Sequence, residues 1–146
     1  MRLKDVAFAE MEELHQQTGE TIHMGILDGT EVVSIEGFES VKSLHTKLFI
    51  GKRAPLYCTA VGKAILAFLP ESERERLANS LQLVRHTSKT ITNKDILREE
   101  LANIRSRGTA IDSGENEDGV VCVGAPIFDS SKEVVASISI SGPVFR

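Results

Sequence analysis

Three serines, Ser137, Ser139 and Ser141, alternate with Ile138 and Ile140 near the end of this 146-residue chain. At the two-residue period of a β-strand, one face is apolar and the other is lined with hydroxyls. An exposed face would more often carry Lys, Glu, Thr or Arg. Small hydroxyls therefore leave two readings open, a solvated or tightly packed face or a wall with room for a bound molecule. Val120, Cys122 and Gly124 share one face of a preceding run, so Cys122 could complete such a wall. Free Cys is commonly a small buried hydrophobe, and no neighbouring His or Lys in sequence marks this one as a thiolate nucleophile.

Asp112 opens an acidic stretch that runs to Gly119. An EF-hand would need Gly at the sixth position and Glu at the twelfth, but Glu117 and Val123 stand there, so calcium is not indicated. Most of these acids suit a solvated loop, whereas Asp112 ends a short extended run and could point back into a sheet. His15, His23, His45 and His86 form no HxxxH or HExxH pair, and no metal site is expected. Gly-x-Ser-x-Gly, GxGxxG and Walker loops are absent, and no cofactor is expected. The stretch Ala60-Val61-Gly62-Lys63 follows Thr59, a residue suited to capping a helix. The first N–H groups of such a helix lack intrahelical acceptors, so they either are satisfied by the cap or hold a carboxylate.

These groups must be positioned by elements that the pattern also predicts. Leu3, Ala7, Met11 and Leu14 form one stripe of a helix that ends at Thr18-Gly19. Ile22, Met24 and Ile26 alternate along a strand that turns at Asp28-Gly29 into a second, residues 31–36. A third strand is expected over residues 41–50, broken by Gly51 to Pro55. Helices follow over residues 60–69, stopped by Pro70, and 71–83, with Leu77, Leu81 and Val84 as its apolar side. Another is expected after Asn93, with Leu97, Leu101 and Ile104 inward and Gly108 closing it. Residues 120–128 and 134–141 flank a turn at Asp129 to Lys132 and predict a second hairpin. The sum is one α+β domain over residues 1–146, an antiparallel sheet with helices packed on it.

Composition narrows the function. Seventeen Lys and Arg against 21 Asp and Glu give a net charge of −4, and with no Trp and one Tyr the chain lacks both a basic patch and stacking platforms for nucleic acid. Cys58 and Cys122 form no CxxC or Cys/His ladder, which favours a reducing, cytoplasmic setting. No apolar run approaches the ~20 residues that cross a bilayer.

A longer pattern runs through the chain. Gly51-x-Arg53-x-Pro55-Leu56-Tyr57-x-Thr59-Ala60-x-Gly62-Lys63-Ala64 is followed by Thr90-Ile91-Thr92 and by Ile104-Arg105-x-Arg107-Gly108. Next come Asp112-x-x-Glu115-x-x-x-Gly119-Val120-x-Cys122-Val123, Ala125-Pro126-Ile127-x-Asp129, and Ala136 to Pro143. Together, from Thr18 to Pro143, they resemble the effector-binding domain of the IclR family of bacterial transcription regulators. The resemblance implies a GAF-like, profilin-like fold with a curved antiparallel sheet of about six strands and a small-molecule pocket. It implies that a winged helix-turn-helix, a linker helix and a final helix lie outside this chain, so direct DNA contact by these residues is not expected. It also implies association into a homodimer or homotetramer.

The resemblance further implies that the effector is a small carboxylate such as an oxo acid. Its carboxylate would meet the N–H groups of Ala60 and Val61 and the hydroxyls of Ser139 and Ser141, with Asp112 and Cys122 nearby. Ser43, Thr46 and Val120 would form the pocket wall. A sensor of this kind is not an enzyme. The rival readings are an enzyme using Cys122 as nucleophile, which would need a His that sequence does not name, and an oligomerisation module without a metabolite.

Overall fold

The computed structural model describes residues 3–145. Helix α1 (Leu3–Thr18) precedes strands β1 (Thr21–Asp28), β2 (Glu31–Phe38) and β3 (Arg53–Pro55). Helices α2 (Ala60–Phe68), α3 (Glu71–Ser80) and α4 (Lys94–Arg107) follow, then β4 (Ala110–Ser113), β5 (Val120–Phe128) and β6 (Val134–Pro143). The strands form one curled antiparallel sheet in the order β3-β2-β1-β6-β5-β4, an α+β architecture as expected. Among the described residues, no helix is long and apolar enough to cross a membrane.

Alternation decides which side of the sheet each helix covers. Ile22, Met24 and Ala136 are buried with Ala7 and Met11 of α1, and Ile138 and Ile140 pack against the same cluster. The opposite face receives α2, whose sequence is almost wholly apolar and whose residues 60–67 are all buried. Leu97, Leu101 and Ile104 of α4 and Leu77 of α3 close the core over α2. Local signals end these elements where expected. Asn93 Oδ1 accepts from the N–H groups of Asp95 and Ile96, and Gly108 at φ 89° terminates α4 in the left-handed conformation.

Two expectations need correction. Residues 41–50 form no strand; β3 is a three-residue edge strand further on. Local and side-chain bonds capture the donors that a ladder would have used: Leu48 N–H donates to Glu39 Oε1, Lys42 N–H to Ser40 Oγ, and Val41 N–H to the Gly19 carbonyl. Helix α3 ends at Ser80 and not at residue 83, because Ser80 Oγ caps the Leu77 carbonyl and Leu81 turns to extended backbone. Leu77 and Leu81 are buried as expected, but Val84 is 56% exposed.

Candidate functional site

Strand register builds the site before any helix is considered. Thr21, Ser141, Cys122 and Asp112 are direct partners across β1, β6, β5 and β4, so their side chains form one row on the α2 face. His23, Ser139, Gly124 and Ala110 form the adjacent row. The serine face of β6 is thus neither solvated nor uniform. Ser137, the third of its serines, donates to the Val61 carbonyl of α2 at 2.8 Å and serves as an anchor for that helix.

Glycines let α2 come this close. A Cβ on Gly124 would lie 2.9 Å from the Ala60 carbonyl oxygen, and one on Gly62 would lie 2.6 Å from Leu56 backbone atoms. Only hydrogen fits at either place. Thr59 caps the helix as expected, with Oγ1 accepting from Gly62 N–H at 3.1 Å and its carbonyl accepting from Lys63 N–H at 2.9 Å. The N–H groups of Ala60 and Val61 meet no acceptor among the described residues, so the positive end of the helix dipole is open over the two rows.

Ser139 Oγ is the group whose chemistry is incomplete. The residue is 1% exposed, and among the described residues the hydroxyl makes no hydrogen bond. Ser141 Oγ lies 3.2 Å from Cys122 Sγ. Burial pushes the Cys122 thiol up to about 11, against the lowering effect of Ser141 and, to a smaller extent, of Ser139 nearby. Burial also pushes the Asp112 carboxyl up to about 6, against the lowering effect of the Glu115 N–H, which donates to Oδ1 at 2.7 Å. Lys63 on α2 is fully buried, with Nζ donating to Glu100 Oε2 (3.0 Å), Glu115 Oε2 (2.9 Å) and the Ile111 carbonyl (2.7 Å). That bridge ties the loop after Asp112 to α2 and α4.

Between α2 and the sheet lies a cavity of about 110 Å³. Ala60, Val61, Asp112, Cys122, Ser139 and Ser141 all line it, as do Thr46 and Val120 of the expected wall. Ser43 does not. It is exposed in the irregular segment that replaces the expected third strand, and the nearby wall is supplied by Thr46 to Phe49 instead.

The cavity also takes in residues not named from sequence, chiefly His23, Ser34, Lys47 and Lys52. His23 Nδ1 is 2.9 Å from Ser34 Oγ, and burial, followed by the nearby Lys52 charge, lowers its imidazole to about 4. The signal for His23 was present: Thr21 and His23 alternate with Ile22 and Met24 just as the serines alternate with isoleucines. What sequence lacked was the pairing of β1 with β6. Among the described residues, no cluster of three or more His, Cys, Asp or Glu could hold a metal.

The whole chain, residues 1–146, matches the family described as bacterial transcriptional regulator IclR C-terminal. It is 40% identical over 129 residues to the HTH-type transcriptional regulator XynR of Escherichia coli K12, covering 88% of this chain and 51% of that protein. It is 38% identical over 137 residues to KdgR of the same organism, covering 94% and 52%. The chain thus spans about half the length of these relatives. The crystal structure of the Thermotoga maritima IclR superposes with a TM-score of 0.94 at 41% identity, over 99% of this chain and 59% of that one. The C-terminal domain of E. coli KdgR gives 0.89 at 37% identity, over 100% and 84%. With the family match running over the whole chain and these likenesses beside it, the chain belongs to the IclR C-terminal family.

Proposed function

We propose that this chain is the effector-binding domain of an IclR-type transcriptional regulator and that its cavity takes a small carboxylate. The observation that carries the ligand class is the Ser139 hydroxyl, buried without a partner in the cavity that the α2 N-terminus also lines. A buried hydroxyl left unpaired costs about 1–3 kcal/mol, which a ligand acceptor would recover. One carboxylate oxygen takes the Ser139 and Ser141 hydroxyls, and the other takes the Ala60 and Val61 N–H groups. With Asp112 raised to about 6, a fraction of its carboxyl is protonated near neutrality and can donate to the ligand instead of repelling it.

The sensor reading is preferred to a Cys122 nucleophile because the thiol is raised to about 11 and the imidazole in the cavity is engaged with Ser34. A ligand of six to ten non-hydrogen atoms, after its ordering costs, binds with a dissociation constant on the order of micromolar to millimolar. Binding joins α2, β6 and the Lys63-tethered loop, and whatever arrangement it favours biases DNA-reading segments elsewhere in the parent protein. Association of copies into a dimer or tetramer would transmit that bias. A thermal-shift screen of small carboxylates against the wild type and Ser139→Ala/Ser141→Ala tests this. At least one acid should stabilise the wild type and fail to stabilise the variant; equal stabilisation of both rejects the serine anchor.

A further inference from the structure

We propose that the effector is a dianion, a carboxylic acid of about five carbons with its second negative group at the far end of the chain; this rests on the carboxylate reading above. The cavity has two chemically distinct ends. At one are the α2 N-terminus and the serines of β6. His23 of β1, the direct partner of Ser139, lies between, and on the far side of it Ser34 of β2, Lys47 and Lys52 line the same space. Lys52 is held beside Ser34 by two backbone bonds, Ser34 N–H to the Lys52 carbonyl (3.1 Å) and Gly51 N–H to the Ser34 carbonyl (2.7 Å).

Neither lysine is neutralised. Among the described residues, no carboxylate lies within ion-pair distance of either ammonium. Lys47 acts on Glu39 only through space, and Lys52 Nζ rests 5.6 Å over the Phe49 ring. The acids that line the cavity, Asp112 and Glu117, belong to the opposite edge of the sheet, at β4 and the loop that follows it. A second anion is therefore favoured on the β2 side, beside the two lysines, over the β4 side, where Glu117 lines the cavity. His23 contributes there as a neutral ring, with Nε2 making no hydrogen bond among the described residues.

Size agrees. At about 110 Å³ the cavity far exceeds the roughly 10–15 Å³ that a single water needs and accommodates a small organic acid. Strands β6 and β2 are two apart in the sheet, about 10 Å. A five-carbon diacid, about 5 Å between carboxyl carbons with a hydrogen bond of about 3 Å at each end, spans that distance.

Calorimetric titration with glutarate, valerate and gluconate tests the proposal, using the wild type, Lys47→Gln/Lys52→Gln and Ser139→Ala/Ser141→Ala. Glutarate should bind the wild type about tenfold tighter than valerate, and the lysine variant should lose about that factor for glutarate while valerate changes less than about twofold. Glutarate affinity should also weaken more steeply with salt. Equal affinities for the two acids, a parallel loss of both in the lysine variant, or gluconate outbinding glutarate would each overturn the dianion proposal. The serine variant should lose both five-carbon acids; if it keeps both, the Ser139 and Ser141 anchor is what fails. If the wild type takes none of the three, the carboxylate reading falls and the dianion with it.

Discussion

Ser139 and Ser141 lie two residues apart on one strand face, yet removing their hydroxyls should have different consequences. Ser141 Oγ has the Cys122 thiol at 3.2 Å, whereas Ser139 Oγ is buried and makes no hydrogen bond among the described residues. Ser139→Ala removes an unsatisfied polar group, so the ligand-free protein should become more stable, by up to about 1 kcal/mol, while carboxylate affinity falls about tenfold or more. Chemical denaturation and calorimetry on the one variant read both effects, and a variant that loses stability without losing affinity would place Ser139 in the core and not in a binding site. Cys122 offers a second measurement. Its thiol, raised by burial to about 11, should react slowly with iodoacetamide near neutrality and accelerate only as the pH approaches that value. Fast alkylation at pH 7 would restore the nucleophile reading.

At the scale of elements, the site depends on how near α2 stands to the sheet. Gly124→Ala would place a methyl 2.9 Å from the Ala60 carbonyl, a backbone atom that cannot rotate away. The helix must shift, and a cost of about 1–3 kcal/mol is expected, together with weaker carboxylate binding because the Ala60 and Val61 N–H groups move with it. Unfolding midpoints and ligand-induced shifts measured on this variant separate the two; an unchanged midpoint would mean that the close approach is not needed. Elements with their own local signals were legible in the sequence. The Thr59 and Asn93 caps, the Gly108 stop and the alternation of β1, β5 and β6 are each set by neighbours a few residues away. Residues 41–50 misled because Leu44, Thr46 and Leu48 alternate with polar residues while the bonds that hold this segment, from Thr21 and Ser40, reach across the fold. Periodicity records which residues could share a face and says nothing about what competes for their backbone donors.

For the molecule as a whole, two titrating groups that line the cavity, one half-buried and one buried, pull stability in opposite directions with pH. Folded His23 has its proton affinity lowered, to about 4 from 6.5, so between those values the unfolded chain binds the extra proton and acid destabilises. Asp112 is raised, to about 6 from 3.8, so across that range the folded chain binds the extra proton and acid stabilises. Burial raises Glu115 as well, in the same sense as Asp112. Between pH 4 and 6 the effects of His23 and Asp112 oppose each other. Asp112→Asn, which retains an oxygen for the Glu115 N–H, should therefore lose stability on acidification from about pH 6.5 to 4.5, and His23→Gln should gain it. Urea midpoints at the two pH values decide the matter, and identical profiles for both variants and the wild type would contradict the burial of these groups.

The same pair marks the limit of what sequence could supply. Asp112 was visible as the end of an extended run and through the family pattern, while His23, Ser34 and Lys52 join the cavity only because β1 pairs with β6 and the 39–52 segment folds back beside β2. Non-local pairing carries no local signature.

The proposed anion site lies between the open start of α2 and the serines of β6. The most direct measurement is amide NMR of the uniformly labelled chain titrated with a small carboxylate such as pyruvate or glutarate. The largest shifts should fall on the Ala60 and Val61 N–H groups, with Ser139 and Ser141 following at the same apparent affinity. Saturable binding that leaves those two amides unmoved would contradict it.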